Sequence, residues 1–223
     1  MTRKKVLLGV LLLVYLCASA AESQTIQVGL KGGINSTTIG WSTSPLGDQM
    51  GELHRRQSVA AGVVLTVSGL GNLRLRTEVL YSGKGFSETQ GIGTVIRARV
   101  NYVEVPLLVG WTFPSGSVVP EVYAGPWVGW ETACELSQET GVNDLAYDCD
   151  EIPGEPVSRE TTDWGMAVGM TMTIPAMGRL SGFFDVRYSA GLRNLDASPR
   201  LVNMDLHHRG YSITGGFLVA FGS

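Results

Sequence analysis

Residues 164–174 read WGMAVGMTMTI, and this stretch decides the fold class. Large apolar residues occupy every second position from Trp164 to Ile174, and Gly, Ala or Thr stands between them. A period of two places alternate side chains on opposite faces of a β-strand, whereas an amphipathic helix needs a period near 3.6. The stretch therefore predicts a strand with one large apolar face and one small, partly polar face.

The same alternation recurs along the chain in eight segments. Each is close to the roughly 9–11 residues that a tilted membrane-spanning strand requires. We therefore expect an all-β protein. The predicted strands cover residues 25–34, 57–68, 73–85, 97–112, 119–131, 163–174, 180–190 and 208–221.

The connections between these segments alternate in length. Short connections rich in Gly, Pro and Asn are typical of compact turns. Alternation of short turns with long loops is typical of a closed, antiparallel up-and-down transmembrane β-barrel, with short periplasmic turns and long external loops. The short connections are residues 69–72, 114–117 and 175–178, and the long ones are 35–57, 86–96, 131–162 and 190–208.

One face of the predicted strands carries almost no charge, and the other face carries most of the ionisable residues and glycines. We interpret the uncharged face as facing lipid, with a soluble sandwich as the alternative. Eight strands enclose barely enough room for side chains, so inward charges are expected to pair with one another rather than form a polar conduit. The predicted lumen charge network comprises Lys31, Arg74, Arg76, Glu78, Glu104, Asp185 and Arg187, with Glu121 as a further candidate.

The N-terminus has the pattern of an export signal. Basic residues at 3–5 precede an apolar run at 6–16 and small residues at 18–20. The apolar run is too short for a spanning helix, so residues 1–21 are predicted to be a cleaved signal peptide. Residues 22–223 then form the barrel domain, located in the bacterial outer membrane.

Export also determines how the cysteines are interpreted. Cys134 and Cys149 remain after cleavage, and an oxidising compartment favours a disulfide between them. Cys17 raises the alternative of a lipoprotein, but Leu16 stands where a lipobox has Gly or Ala.

Five segments resemble, in the same order, motifs of the PorT-like outer-membrane β-barrel family. They are GLKGGIN at 29–35, TEVLYSGKG at 77–85, NYVEVPLL at 101–108, PEVYAGP at 120–126 and DVRYSAGL at 185–192. The resemblance implies the barrel fold and the outer membrane, and it offers little biochemistry, since only some members are linked to secretion or surface assembly. The chain departs from the pattern where Gly222 and Ser223 follow the last aromatic residue, and in its acidic third loop.

That loop, residues 131–163, holds ten acidic residues and one basic residue, Arg159. A solvated acidic loop is the simplest interpretation, and a basic protein or a cation is the alternative partner. Ca²⁺ favours oxygen ligands, but the loop lacks EF-hand spacing, so no metal site is assigned. The candidate Ca²⁺ ligands are Asp144, Asp148, Asp150 and Glu151.

His54, His207 and His208 all fall in predicted long loops. A rim-site hydrolase using one of them with a loop carboxylate is the alternative to a non-catalytic protein, and a narrow transport channel is a weaker one. The chain carries no recognised catalytic motif and a net charge of −3, so we predict no enzyme activity, no cofactor and no nucleic-acid partner. The leading hypothesis is a monomer embedded in outer-membrane lipid, whose external loops have a surface-binding or envelope-structural role.

Overall fold

The computed structural model describes residues 24–42, 52–90, 94–113, 116–140, 143–149, 160–193 and 205–221. Within these ranges, no helix is long and apolar enough to cross a membrane. The strands are β1 (Thr25–Ser42), β2 (Glu52–Leu70), β3 (Leu73–Gln90), β4 (Thr94–Thr112), β5 (Val119–Thr140), β6 (Asn143–Asp148), β7 (Thr162–Met177), β8 (Leu180–Gly191) and β9 (Asp205–Phe221).

Eight of the strands close into a barrel. Each pairs antiparallel with the next, β5 pairs with β7, and β1 pairs with β9 from Ile26 opposite Phe221 to Ser42 opposite Asp205. The predicted eight-stranded, closed, up-and-down barrel is therefore confirmed, and the soluble-sandwich alternative is wrong. The ninth strand, β6, pairs with the outer part of β5 and lies outside the ring.

The large apolar side chains point away from the barrel axis. Leu30 is 67% exposed and Val168 is 53% exposed, whereas the inward Thr66 and Asp185 are fully buried. Such an outward apolar surface is stable only in lipid, and a spanning band of this kind is about 25 Å tall with aromatic residues at both edges. Trp111, Phe113 and Phe221 lie towards the periplasmic end, where the short turns are, and Tyr81, Trp130, Trp164 and Tyr211 lie towards the external end.

The short turns occur where the sequence predicts them. Gly71, Gly116 and Gly178 have φ angles of 65°, 59° and 55°, which place them in the left-handed region. Glycine adopts this region without the steric cost that a Cβ imposes, and tight hairpins need it. These three turns hold the periplasmic ends of their hairpins close together.

The predicted long loops are wrong over much of their length, because the strands continue into them. β3 reaches Gln90 and β4 begins at Thr94, so most of the predicted loop 86–96 is hairpin. β1 and β2 likewise extend into 35–57, and β5 and β6 occupy part of 131–162. Beyond the membrane both strand faces meet water, so the apolar–polar alternation ends there. Backbone pairing does not need that alternation, and the strands continue.

A disulfide holds the β5–β6 hairpin together. Cys134 and Cys149 are bonded, with their Cα atoms 5.4 Å apart, and the Cys149 N–H donates to the Cys134 carbonyl. The bond therefore ties the end of β6 to β5 beyond the barrel ring. Residues 1–23 lie outside the described part of the chain, so signal-peptide cleavage stays a prediction.

Leu30→Arg should destabilise the barrel in phospholipid vesicles by about 2–4 kcal/mol, because it places a charge in the middle of the lipid-facing band. Leu145→Arg is the matched control, since Leu145 is 47% exposed but lies on β6, beyond the ring. Urea unfolding of vesicle-inserted protein measures both. Equal stability of the two variants would contradict the assignment of the band to lipid.

Candidate functional site

The lumen is filled by ionised side chains from the inward face. Lys31 Nζ lies 3.3 Å from both Glu78 Oε1 and Asp185 Oδ1. Arg187 Nη2 donates to both Glu78 oxygens, at 2.8 and 2.9 Å. All four side chains are buried. Burial of charge is stable only when each group is paired and hydrogen-bonded, and this layer meets that requirement.

Asp185 is the centre of this layer. It stands on β8, is fully buried, and accepts hydrogen bonds on both carboxylate oxygens. The donors come from five other strands of the ring, so this one carboxylate on β8 connects six of the eight barrel strands. They are Lys31 of β1 (3.3 Å), Arg76 of β3 (3.4 Å), Tyr123 of β5 (2.8 Å), Thr171 of β7 (2.8 Å) and Thr214 of β9 (3.4 Å).

A second group of contacts closes the lumen towards the periplasm. Glu121 Oε2 lies 3.0 Å from Arg74 Nη1 and 3.2 Å from Arg76 Nη2. The Arg76 guanidinium also lies 5.3 Å from the centre of the Tyr123 ring. A Cβ at position 110 would come within 2.3 Å of Glu121 Oε1, so Gly110 provides the space that this carboxylate occupies. Arg76 is among the largest fully buried side chains, and it fills the cross-section here.

A separate cluster lies nearer the external end. Lys84 Nζ is 2.6 Å from Glu104 Oε1 and 3.5 Å from Asp163 Oδ2, and it sits 3.9 Å from the centre of the Trp127 ring. His208 Nδ1 lies 2.9 Å from Asp163 Oδ2. The predicted charge Glu104 thus belongs to this cluster, apart from the layer around Asp185.

The predicted network lacks Lys84 and Asp163, which the structure places in the lumen. Glu121 is predicted only as a further candidate, and the structure pairs it with Arg74 and Arg76. Asp163 was counted with the acidic loop, although it shares the phase of Gly165 and Ala167 on the small face of β7. That phase was the signal that could have placed it in the lumen.

The prediction that the histidines lie in long loops is wrong. His54 lies in β2, and His207 and His208 lie in β9. His208 is 4% exposed inside the barrel, and His207 Nδ1 is 2.9 Å from the Arg193 carbonyl oxygen. A substrate at the external rim would therefore not meet the His208 ring directly.

A cavity of about 40 Å³ lies between the two clusters. One water needs roughly 10–15 Å³ measured in this way, so the space holds a few waters and no larger solute. Its polar lining comes from both clusters and from hydroxyl groups of β1, β8 and β9. The charged and aromatic lining residues are Lys31, Lys84, Glu104, Trp127, Arg187 and His208, and two exposed residues of β9, Arg209 and Tyr211, also border the cavity.

The acidic region is partly neutralised by arginines outside the lumen. Arg99 pairs with Glu135 at 3.5 Å, Arg97 pairs with Glu139, and Arg193 pairs with Glu160 at 2.6 Å. Among the residues that the structure describes, no group of three or more His, Cys, Asp or Glu could hold a metal ion. Of the candidate Ca²⁺ ligands, Asp150 and Glu151 lie outside the described ranges, so the Ca²⁺ hypothesis stays untested.

A family model described as "Outer membrane protein beta-barrel domain" matches residues 20–197. Solved structures with this fold include a major outer membrane protein of Thermus thermophilus, at 12% identity and TM-score 0.53, covering 90% of this chain and 100% of that one. OprG of Pseudomonas aeruginosa matches at 11% identity and TM-score 0.52, covering 90% and 96%. At such identities the likeness shows the fold alone. No curated protein matches. The family match supports an outer-membrane β-barrel, but not the specific PorT-like group that the sequence motifs resemble.

Asp185→Asn should lower the free energy of unfolding by roughly 3–5 kcal/mol, because it leaves buried cations without their shared counter-charge. Glu135→Gln is the control, since its pair with Arg99 is about half exposed and such pairs contribute about 1 kcal/mol or less. Urea titration of both variants in vesicles gives the comparison. A loss for Asp185→Asn no greater than that of the control would rule out a stabilising role for this network.

Proposed function

This chain belongs to the outer membrane protein β-barrel domain family, and from that premise we propose that it is a non-catalytic surface protein. Its external hairpins carry a binding or envelope-structural role, and the barrel acts as their anchor. The observation that carries the proposal is the contrast between a filled lumen and hairpins that project beyond the membrane.

The filled lumen argues against transport. Five cations and five carboxylates are paired inside it, and the remaining cavity of about 40 Å³ is too small for a nutrient-sized solute. Opening a path would require separating Arg76 from Glu121 and Asp185, which are its two counter-charges among the described residues. The paired residues are Lys31, Arg74, Arg76, Lys84 and Arg187 with Glu78, Glu104, Glu121, Asp163 and Asp185.

The external hairpins offer the surface for a partner. Trp130 lies at the external edge of the lipid-facing band, and β5 continues for ten residues beyond it. At about 3.4 Å per residue, the end of β5 lies roughly 30 Å further along the strand. The Cys134–Cys149 bond keeps β6 on this projecting wall. The excess of acidic over basic residues in 131–163, ten to one, favours a basic protein surface as the partner. The barrel itself is expected to be a monomer.

One observation favours the runner-up, a rim-site hydrolase. The pair of His208 with Asp163, at 2.9 Å, has the geometry of a general base and its orienting carboxylate. Two observations argue against catalysis by this pair: His208 is buried, and Asp163 also pairs with Lys84. Both are expected of a pair that stabilises the barrel. The two functions therefore differ in which residues they need.

A deletion strain complemented with variants separates them. Replacing residues 136–147 by Asn-Gly joins Glu135 to Asp148, which face each other across the hairpin, and preserves the disulfide. This shortened protein should still show heat-modifiable gel mobility but lose the envelope or surface-binding phenotype. The variant His207→Ala with His208→Asn should keep the phenotype. If the histidine variant lost the phenotype and the protein with the short hairpin retained it, the result would favour the hydrolase.

Glu104→Gln tests the closed lumen. Its pair with Lys84 is nearly buried, so the change should lower resistance to urea without creating a conductance in planar bilayers. Wild-type protein should show no steady conductance either. If the variant kept its stability and altered ion flux, the interior would be a conduit and the proposal would fail.

A further inference from the structure

Two arginines on the outer wall of the barrel stand apart from the other external arginines. Arg97, Arg99 and Arg193 each pair with a glutamate, and the half-buried Arg56 donates to the Lys84 carbonyl oxygen. Arg55 and Arg209 are exposed, and in the part of the chain that the structure describes no carboxylate lies within 4.0 Å of either guanidinium. Two exposed cations without a carboxylate partner among the described residues can accept an anion from outside the chain.

Their position is the edge of the lipid-facing band. Tyr211 is 50% exposed, and its ring lies 5.0 Å from that of Tyr188. Exposed Tyr and Trp rings mark the level of the lipid headgroups. Arg209 is two residues nearer the external end of β9 than Tyr211, and the Arg55 guanidinium lies over the Tyr211 ring at 5.1 Å. Both arginines therefore lie at headgroup level.

The strand register brings the two arginines to one place. Arg209 of β9 pairs with Thr38 of β1, and Arg56 of β2 pairs with Thr37. Arg55 and Arg209 thus flank β1 at nearly the same height, about 10 Å apart in the backbone at two strand spacings. Side chains as long as arginine can converge across that distance on a single group. Guanidinium groups bind phosphate oxygens in bidentate geometry, and the ring of Tyr211 holds one of them in place.

We propose that Arg55, whose guanidinium lies over the Tyr211 ring, and Arg209 bind a phosphate group on the headgroup of an outer-leaflet glycolipid. The external position of the site selects this leaflet, and the apolar wall below it receives the acyl chains. The site lies on the barrel wall rather than on the projecting hairpins, so it is independent of the proposed surface role.

The test is a titration of the full-length mature barrel in detergent micelles with diphosphorylated lipid A, read by native mass spectrometry. The double variant Arg55→Gln with Arg209→Gln should bind about 25-fold more weakly, at about fivefold for each arginine removed from an anionic lipid surface. Arg99→Gln is the matched control, because that exposed external arginine is already paired with Glu135, and its affinity should stay within about twofold of wild type. Heat-modifiable mobility checks that each variant is folded.

Two further arms define the ligand. Lipid A with its phosphates removed should bind as weakly to wild type as the intact lipid binds to the double variant. Inorganic phosphate at millimolar concentration should not displace the lipid, which separates a headgroup site from a site for free phosphate. Equal binding of dephosphorylated lipid, an unchanged double variant, or an equal loss in Arg99→Gln would each overturn the proposal. The protein with the shortened β5–β6 hairpin should bind the lipid normally, so this test and that of the surface role can fail separately.

Discussion

The structure depends on the need to neutralise charge inside a narrow, lipid-surrounded wall. A soluble protein gains stability by burying apolar side chains, but here most of the large apolar side chains face lipid, and only small apolar clusters such as Val64, Phe183 and Leu218 are buried inside. The interior is instead held by ion pairs and hydrogen bonds, and the contacts of Asp185 with five other strands are the clearest case. Each contact requires its strand to present the correct face at the correct height. The network therefore fixes register, which lipid contact alone leaves loose.

Glycine completes this arrangement, because a narrow lumen has no space for large side chains beside long ionised ones. A Cβ at position 169 would come within 2.3 Å of the Tyr123 hydroxyl oxygen, the same hydroxyl that donates to Asp185. Gly110 likewise leaves the space that the Glu121 carboxylate occupies. The alternation of small and large residues in the sequence thus records two requirements at once: lipid on one face, and room for the network on the other.

The same logic explains what the sequence could and could not predict. The eight strands of the ring and their lipid-facing side follow from a period of two, which holds wherever the two faces meet different surroundings. The short turns follow from their Gly, Pro and Asn residues. The period of two fails beyond the membrane, where both faces of β3 and β4 meet water, and the sequence there predicts a loop instead of the observed hairpin. The small residues Ala124, Gly125 and Pro126 obscured the phase of β5 and hence the place of Glu121. Pairing partners depend on the stagger of strands around the ring, which no local pattern contains, so the contact of Lys84 with Asp163 could not be foreseen.

The position of Lys31 has a consequence for how the barrel assembles. Lys31 is on β1, Asp185 is on β8, and β9 lies between these strands. The two side chains can therefore meet only after β1 has paired with β9. Before that seam forms, an open sheet would leave the carboxylate facing either water or lipid without its ammonium partner. A half-inserted intermediate must therefore keep its concave side hydrated. The last backbone pairing and the expulsion of that water become a single cooperative event, which makes the finished barrel slow to reopen.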